Sequence, residues 1–296
     1  MVLVDGRTLT TRDVWAVANG AEVSLCPEAS RAMTANYEEW IALGSPDVLA
    51  GTEAWLLGAT EAQRAPSEDR LKAFVESHCA GVGELLPQAW VRALMLCRAN
   101  VLACALSGVR SEAAELLIAM LNHGIHPQVP RLGSVGAAGD LAPLAHVARV
   151  ALRLGGTAQV GEEILEAQTA MAAIPEFKPT SKEALSLING ASLSAALAAI
   201  ACTRAEKLLQ SSENILAMTM EAVFAQNGCI SPKALKARGH IGGVRVATRL
   251  SELLKDSSMV SPERDADAFS IRCAPSVLGT AYDNLEHAKN VVDTEL

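Results

Sequence analysis

The chain has 296 residues, half of them hydrophobic but only 3% aromatic, and a formal net charge of −8. With no basic run to meet phosphates, that balance excludes a nucleic-acid surface as an expectation. The longest apolar stretch, residues 193–202, is interrupted by Ser194 and followed by Arg204 and Glu206. It falls well short of the ~20 apolar residues a bilayer span takes, so no membrane partner is expected.

Taken in chain order, Val2-Leu3-Val4 before Asp5-Gly6 predicts a short strand, and a helix follows from about Thr11 to Gly20. Glu28 to Leu43 predicts a second helix, and residues 44–66 a polar irregular stretch. Ser67 is placed to cap a helix to about Cys79, and Pro87 to open a long apolar helix reaching Ser107. Ser111 is expected to cap the next helix, to Gly124, and Asp140 the one carrying Leu141 to Leu154. Residues 157–167 predict a surface hairpin. Helices are expected over 181–188, 192–209, 212–226, 242–256 and 275–295. Ala and Leu dominate the apolar content, which suits close-packed helices better than a sheet. No repeat or linker divides the chain, so a single all-α unit over 1–296 is expected, with small β-hairpin decorations.

The start, Met-Val-Leu-Val-Asp-Gly-Arg, carries no charged leader followed by an apolar segment. The seven cysteines include no Cys-x-x-Cys pair. Both observations predict a cytoplasmic protein with reduced thiols. No spacing of His, Cys, Asp and Glu suggests a metal site.

The strongest motif is Gly133-Ser-Val-Gly-Ala-Ala-Gly-Asp-Leu-Ala-Pro-Leu-Ala-His146. Three glycines loosen a loop, and Asp140 starts a helix whose free N–H groups favour negative charge nearby. The stretch resembles the signature of the aromatic amino acid ammonia-lyases and aminomutases. The resemblance implies a helical bundle of the fumarase/aspartase and ammonia-lyase type. In that family an Ala-Ser-Gly tripeptide cyclises into methylideneimidazolone, the electrophile that attacks the substrate. Here the tripeptide is Ala137-Ala138-Gly139. The exocyclic methylidene comes from dehydrating the serine, and Ala138 has no β-hydroxyl to lose. The expectation is a vestigial tripeptide and no cofactor.

Three further segments carry the resemblance. Leu187-Ile-Asn-Gly-Ala-Ser192 is similar to the family's Asn-Gly-Thr-Gln, which implies a catalytic role for Asn189; Ala191 and Ser192 depart from the Thr-Gln pair. Ala268-Phe-Ser-Ile-Arg-Cys-Ala-Pro-Ser-Val277 is similar to the family's Tyr-Ser-Leu-Arg-Cys-x-Pro-Gln-Val. It implies that Arg272 grips a substrate carboxylate bidentately, an intersubunit ion pair being the other reading. Phe269 stands where the family has tyrosine, and Ala266 where it usually has glutamine. Val75-Glu-Ser-His-Cys-Ala-Gly-Val-Gly83 looks like the family's Ser-His-x-x-Gly-x-Gly and implies a catalytic place for His78 near the site mouth, against a plain structural histidine. The family's Tyr-Gly-x-x-Thr-Gly-Phe-Gly loop falls on 48–55, where Thr52 alone survives and the tyrosine base is lost.

The resemblance implies substrate-binding places for Arg272, Gly139, Asp140 and Phe269, and an amino-acid-like small-molecule ligand. It covers the N-terminal portion of the family fold. A bundle divided there exposes apolar stripes, so a separately encoded second-half subunit or self-association is expected. Three readings of function follow. One is an ordinary ammonia-lyase with a single Ser-to-Ala change, which does not account for the other departures. The second is a cofactor-independent enzyme performing elimination, addition, cyclisation or hydrolysis on a carboxylate substrate. The third is a non-catalytic scaffold for a partner chain.

Overall fold

A computed structural model describes residues 1–43, 68–136, 139–179, 181–260 and 267–296. The polar stretch 44–66, the tripeptide positions Ala137 and Ala138, and Ala266 lie outside the described residues. The chain divides into two compact units, residues 1–200 with 295–296, and residues 201–294.

In the first unit, strand β1 (Val2–Val4) pairs in parallel with β2 (Val23–Leu25), joined through helix α1 (Thr11–Ala18). Thr10 and Asp13 form a reciprocal capping box at the start of α1. Helix α2 (Pro27–Ala42) opens on proline, whose missing N–H costs nothing in a first turn. Next come α3 (Glu68–His78), β3 (Val82–Leu85), α4 (Gln88–Ala103) and α5 (Glu112–Asn122). Then follow β4 (Ile125–Pro127), β5 (Pro130–Leu132) and α6 (Leu141–Ala151).

Helix α4 is buried on nearly every side from Val91 to Asn100, which makes it the axis of the unit. Leu94, Met95, Leu96 and Leu102 are buried there, as are Leu117, Met120 and Leu121 of α5, the helix packed against it. Arg92 of α4 is buried with no carboxylate paired to it among the described residues, yet it is well used. Its guanidinium donates to Val17 O at 2.6 Å, Leu121 O at 3.0 Å and Ala21 O at 3.2 Å. The Val17 and Leu121 carbonyls end α1 and α5, where the helix dipoles are negative, so one cation ties down two C-termini.

The hairpin expected over 157–167 is present as β6 (Thr157–Val160) and β7 (Glu163–Glu166), and β4 extends it to three strands. A one-turn helix α7 (Ala167–Ala170) follows, then α8 (Ser181–Ile188). The strands β2 to β5 and helix α7 were not expected from the sequence. Each is three or four residues long, too short to show a period.

Helix α9 (Ser192–Ala222) is one continuous helix of 31 residues, where the sequence predicts two with a break near 210. The expected helices 192–209 and 212–226 leave Gln210 and Ser211 between them, next to Ser212. Both hydroxyls instead donate to carbonyls one turn back, Lys207 O at 3.0 Å and Leu208 O at 2.9 Å, so the helix runs through.

The second unit takes the C-terminal part of α9, then a 3-10 turn (Asn227–Ile230), α10 (Pro232–Lys236), α11 (Ile241–Leu253), α12 (Phe269–Arg272) and α13 (Ala274–Glu295). Its core joins Met220, Ile230, Val246, Leu250, Leu254 and Tyr282. Gly242 of α11 and Gly279 of α13 let these helices touch backbone to backbone. Among the described residues no helix is long and apolar enough to cross a membrane.

Candidate active site

The signature loop ends at Gly139, whose backbone forms a parallel bridge with Gly190, and Asp140 N donates to Gly190 O at 3.0 Å. Two segments fifty residues apart in sequence are thereby stitched together. Only glycine fits at 139, because a Cβ would sit 2.1 Å from Gly136 O. Gly190 adopts φ +155°, and a Cβ there would lie 2.7 Å from a guanidinium nitrogen of Arg98.

Asp140 does not cap its own helix. Its carboxylate is fully buried and accepts from Ser134 Oγ at 2.5 Å, Ser194 N at 2.9 Å and Ser194 Oγ at 3.4 Å. It therefore caps the first turn of the long helix α9 and anchors the loop it terminates. The sequence shows an Asp before a helix. It does not reveal that a second helix starts beside the same carboxylate.

Arg98 of α4 holds the opposite side of the Asn189–Gly190 turn. One guanidinium nitrogen donates to Asn189 O at 2.6 Å and another to Ser186 O. Arg98 is 3% exposed, and burial pushes its pKa down to about 10. Sequence reasoning passed over this residue, although an arginine amid Leu94, Leu96 and Leu102 is a recognisable sign of a buried charge with a task.

The His78 segment reaches the same place. Gly81 packs its Cα against Gly133, the first glycine of the signature, 3.3 Å from where a Cβ would stand. Next to it Val82 pairs with Leu132 across β3 and β5. His78 is half-buried at the end of α3, tilted against Phe74, with Nδ1 2.8 Å from Phe74 O. A carbonyl can only accept, so Nδ1 is the donor in this contact. The first unit thus brings together three of the four matched segments: 78–83, 133–140 and 187–192.

Comparison with known proteins decides the family. The family model described as aromatic amino acid lyase matches residues 9–296. The chain belongs to the aromatic amino acid lyase family. A probable histidine ammonia-lyase of Halobacterium salinarum is 38% identical over the whole of this chain and 58% of its own length. The histidine ammonia-lyase of Gloeobacter violaceus is 37% identical, with 59% of its length covered. The solved tyrosine aminomutase from Streptomyces globisporus superposes with a TM-score of 0.88 at 28% identity, over 99% of this chain and 61% of that one. Histidine ammonia-lyase from Trypanosoma cruzi gives 0.84 at 29% identity, over 99% and 56%. The expected ammonia-lyase type of helical fold is therefore present. This lyase-family chain spans less than two thirds of the length of these relatives.

The fourth matched segment lies in the second unit. There Arg272, half-buried, stacks its guanidinium 4.5 Å from the ring centroid of Phe269, which is 72% exposed. Position 138, in the segment that carries the resemblance, is alanine, whose side chain is a methyl without a hydroxyl.

Proposed function

We propose that this chain is a divergent lyase-family subunit that binds an amino-acid-like carboxylate and acts without methylideneimidazolone. The reading rests on an uneven pattern of loss. Position 138 and the tyrosine base have gone, while the groups that shape and polarise a pocket remain. Gly139 and Gly190 keep the tight loop contact, and Asp140 supports that loop from within. His78 turns Nδ1 to the Phe74 carbonyl, and its Nε2 and Asn189 are the proposed catalytic groups. Arg272 and Phe269 are proposed to meet the substrate carboxylate and its carbon skeleton. What such groups supply without the electrophile is binding, proton transfer and polarisation of a carbonyl.

A second chain corresponding to the remaining part of the family fold is the proposed partner. Apolar side chains of α9 favour it: Leu208, Ile215 and Met218 are 67%, 63% and 69% exposed on one stripe with heptad-like spacing.

Intact mass tests the cofactor reading. The protein should show no loss of water across 137–139 and no near-ultraviolet band from methylideneimidazolone. A deficit of two waters overturns it. Arg272→Met separates an enzyme from a non-catalytic scaffold. It should abolish turnover or ligand-induced stabilisation with the assembly intact; unchanged partner activity would favour the scaffold.

A further inference from the structure

Residues 222–251 carry five of the chain's 25 lysines and arginines, Lys233, Lys236, Arg238, Arg245 and Arg249, and none of its 33 aspartates and glutamates. In a chain of net charge −8 that is a local reversal of sign, and it falls wholly within the second unit. Elsewhere cations meet acids: Arg31 pairs with Glu28, Arg110 with Glu183 and Lys289 with Glu206. Within the stretch, Arg249 reaches Glu252 at 3.6 Å, and Arg245 stacks 4.0 Å from the Tyr282 ring centroid. Lys233, Lys236 and Arg238 are exposed and have no ion pair among the described residues.

Arg238 also stands on the wall of a small hollow of about 60 Å³. His240, Ser276 and Thr280 line it with Arg238, and Leu235 gives it an apolar side. The volume holds a few water-sized groups, which is room for one tetrahedral oxyanion and little more. Thr280 Oγ1 already donates to Ser276 O at 2.9 Å. Among the described residues, the side chains of Arg238, His240 and Ser276 have no hydrogen-bond partner, and all three reach solvent. The first turn of α11 adds nothing to this argument, because Asp283 already accepts from Gly242 N at 2.8 Å. What the hollow offers is a free guanidinium, an imidazole and a hydroxyl, in the part of the chain that holds no acid.

We propose that this hollow binds a phosphoryl dianion, carried on a small molecule or free as phosphate. Arg238 is its bidentate partner, since a guanidinium fork matches phosphate oxygens. Ser276 and His240 are further donors, and Lys233 and Lys236 raise the local positive potential. The cations are few and interrupted by neutral residues, which suits one anion and not a nucleic acid. Arg272 and Phe269 do not line the hollow, and the proposal does not depend on the lyase reading above.

Isothermal titration calorimetry on the full chain in its assembled form, at constant ionic strength, tests the proposal with phenyl phosphate, inorganic phosphate and benzoate. Phenyl phosphate should bind, and benzoate should bind at least about tenfold more weakly, about 1.4 kcal/mol. Inorganic phosphate binding as tightly as phenyl phosphate would identify the free ion as the ligand, and weaker binding would identify the ester. Arg238→Gln should abolish binding, and Ser276→Ala should weaken it several-fold. Lys233→Gln combined with Lys236→Gln should lower the affinity and flatten its dependence on salt. These side chains are exposed or half-buried with no hydrogen bond to lose, so the variants should keep the parent's circular dichroism. Lys255→Gln, an exposed cation outside the stretch, and Arg272→Met should both leave the affinity unchanged. No binding of either phosphate, equal binding of benzoate, or an affinity unaltered in both Arg238→Gln and Ser276→Ala would overturn the proposal.

Discussion

Asp140 concentrates much of the site in one carboxylate, since it fixes both the loop of Ser134 and the first turn of α9. Asp140→Asn removes the charge and turns an amide toward groups that donate. Hydrogen bonds to charged groups are worth about 1.5–3 kcal/mol. The variant should lose about that much stability in urea titration with an unchanged m-value; an unaltered midpoint would mean the two serines find other partners. His126 makes a second residue-scale prediction. Burial and the adjacent Arg92 charge hold its pKa down at about 4, from an ordinary 6.5, while its Nε2 accepts from Arg92 at 3.0 Å. The unfolded chain takes up this proton below about pH 6.5, and the folded chain resists until about pH 4. Stability should therefore fall on acidification through that window, by up to about 1.4 kcal/mol per pH unit. Burial and Arg149 hold His146 low as well, which steepens the fall. His126→Gln should flatten the pH dependence of the urea midpoint by one proton's slope, and an identical slope would show that His126 does not control it.

Among the elements, α11 and α13 depend on a contact with no room for a methyl group. A Cβ on Gly279 would lie 2.3 Å from Gly243 N and 2.5 Å from Gly243 Cα, both backbone atoms that cannot swing aside. Asp283 adds a hydrogen bond across the same crossing, accepting from Gly242 N at 2.8 Å. Gly279→Ala should cost about 1–3 kcal/mol through forced separation of the helices, read as a lower melting temperature. Gly228→Ala, whose Cβ would meet only the Gln226 side chain at 3.4 Å, is the control and should change little. Equal effects of the two would show that the helix crossing tolerates displacement.

For the whole molecule, the exposed stripe on α9 carries the prediction. Leu208, Ile215 and Met218 form an exposed apolar stripe that the proposed association would cover. Light scattering should find the chain in an oligomer or in aggregates when expressed alone, and in a defined hetero-oligomer with a complementary second-half chain. Ile215→Glu combined with Met218→Glu should shift either assembly toward smaller species. A well-behaved monomer of the parent protein would refute both expectations.

The sequence by itself determined the helical class, the position of most helices and the family, because apolar periodicity and a fourteen-residue motif are local properties of the chain. It also determined that residue 138 cannot be dehydrated, since that depends on one side chain alone. Proximity was decided by the tertiary structure. Asp140 reads as a cap for its own helix, but the folded chain sets Ser194 beside it, fifty-four residues on. Arg98 reads as a charge in an apolar helix, and folding alone supplies the carbonyls of Ser186 and Asn189 that hold it. The short strands β2 to β5 were likewise not read from the sequence, because their pairing energy comes from partners distant in the chain. Ser211 and Ser212 illustrate the converse: the helix expected to stop at 209 runs on through them, with their hydroxyls bonded back to its own carbonyls. Local preference chooses elements, and a buried charge finds its meaning only from what the fold brings to it.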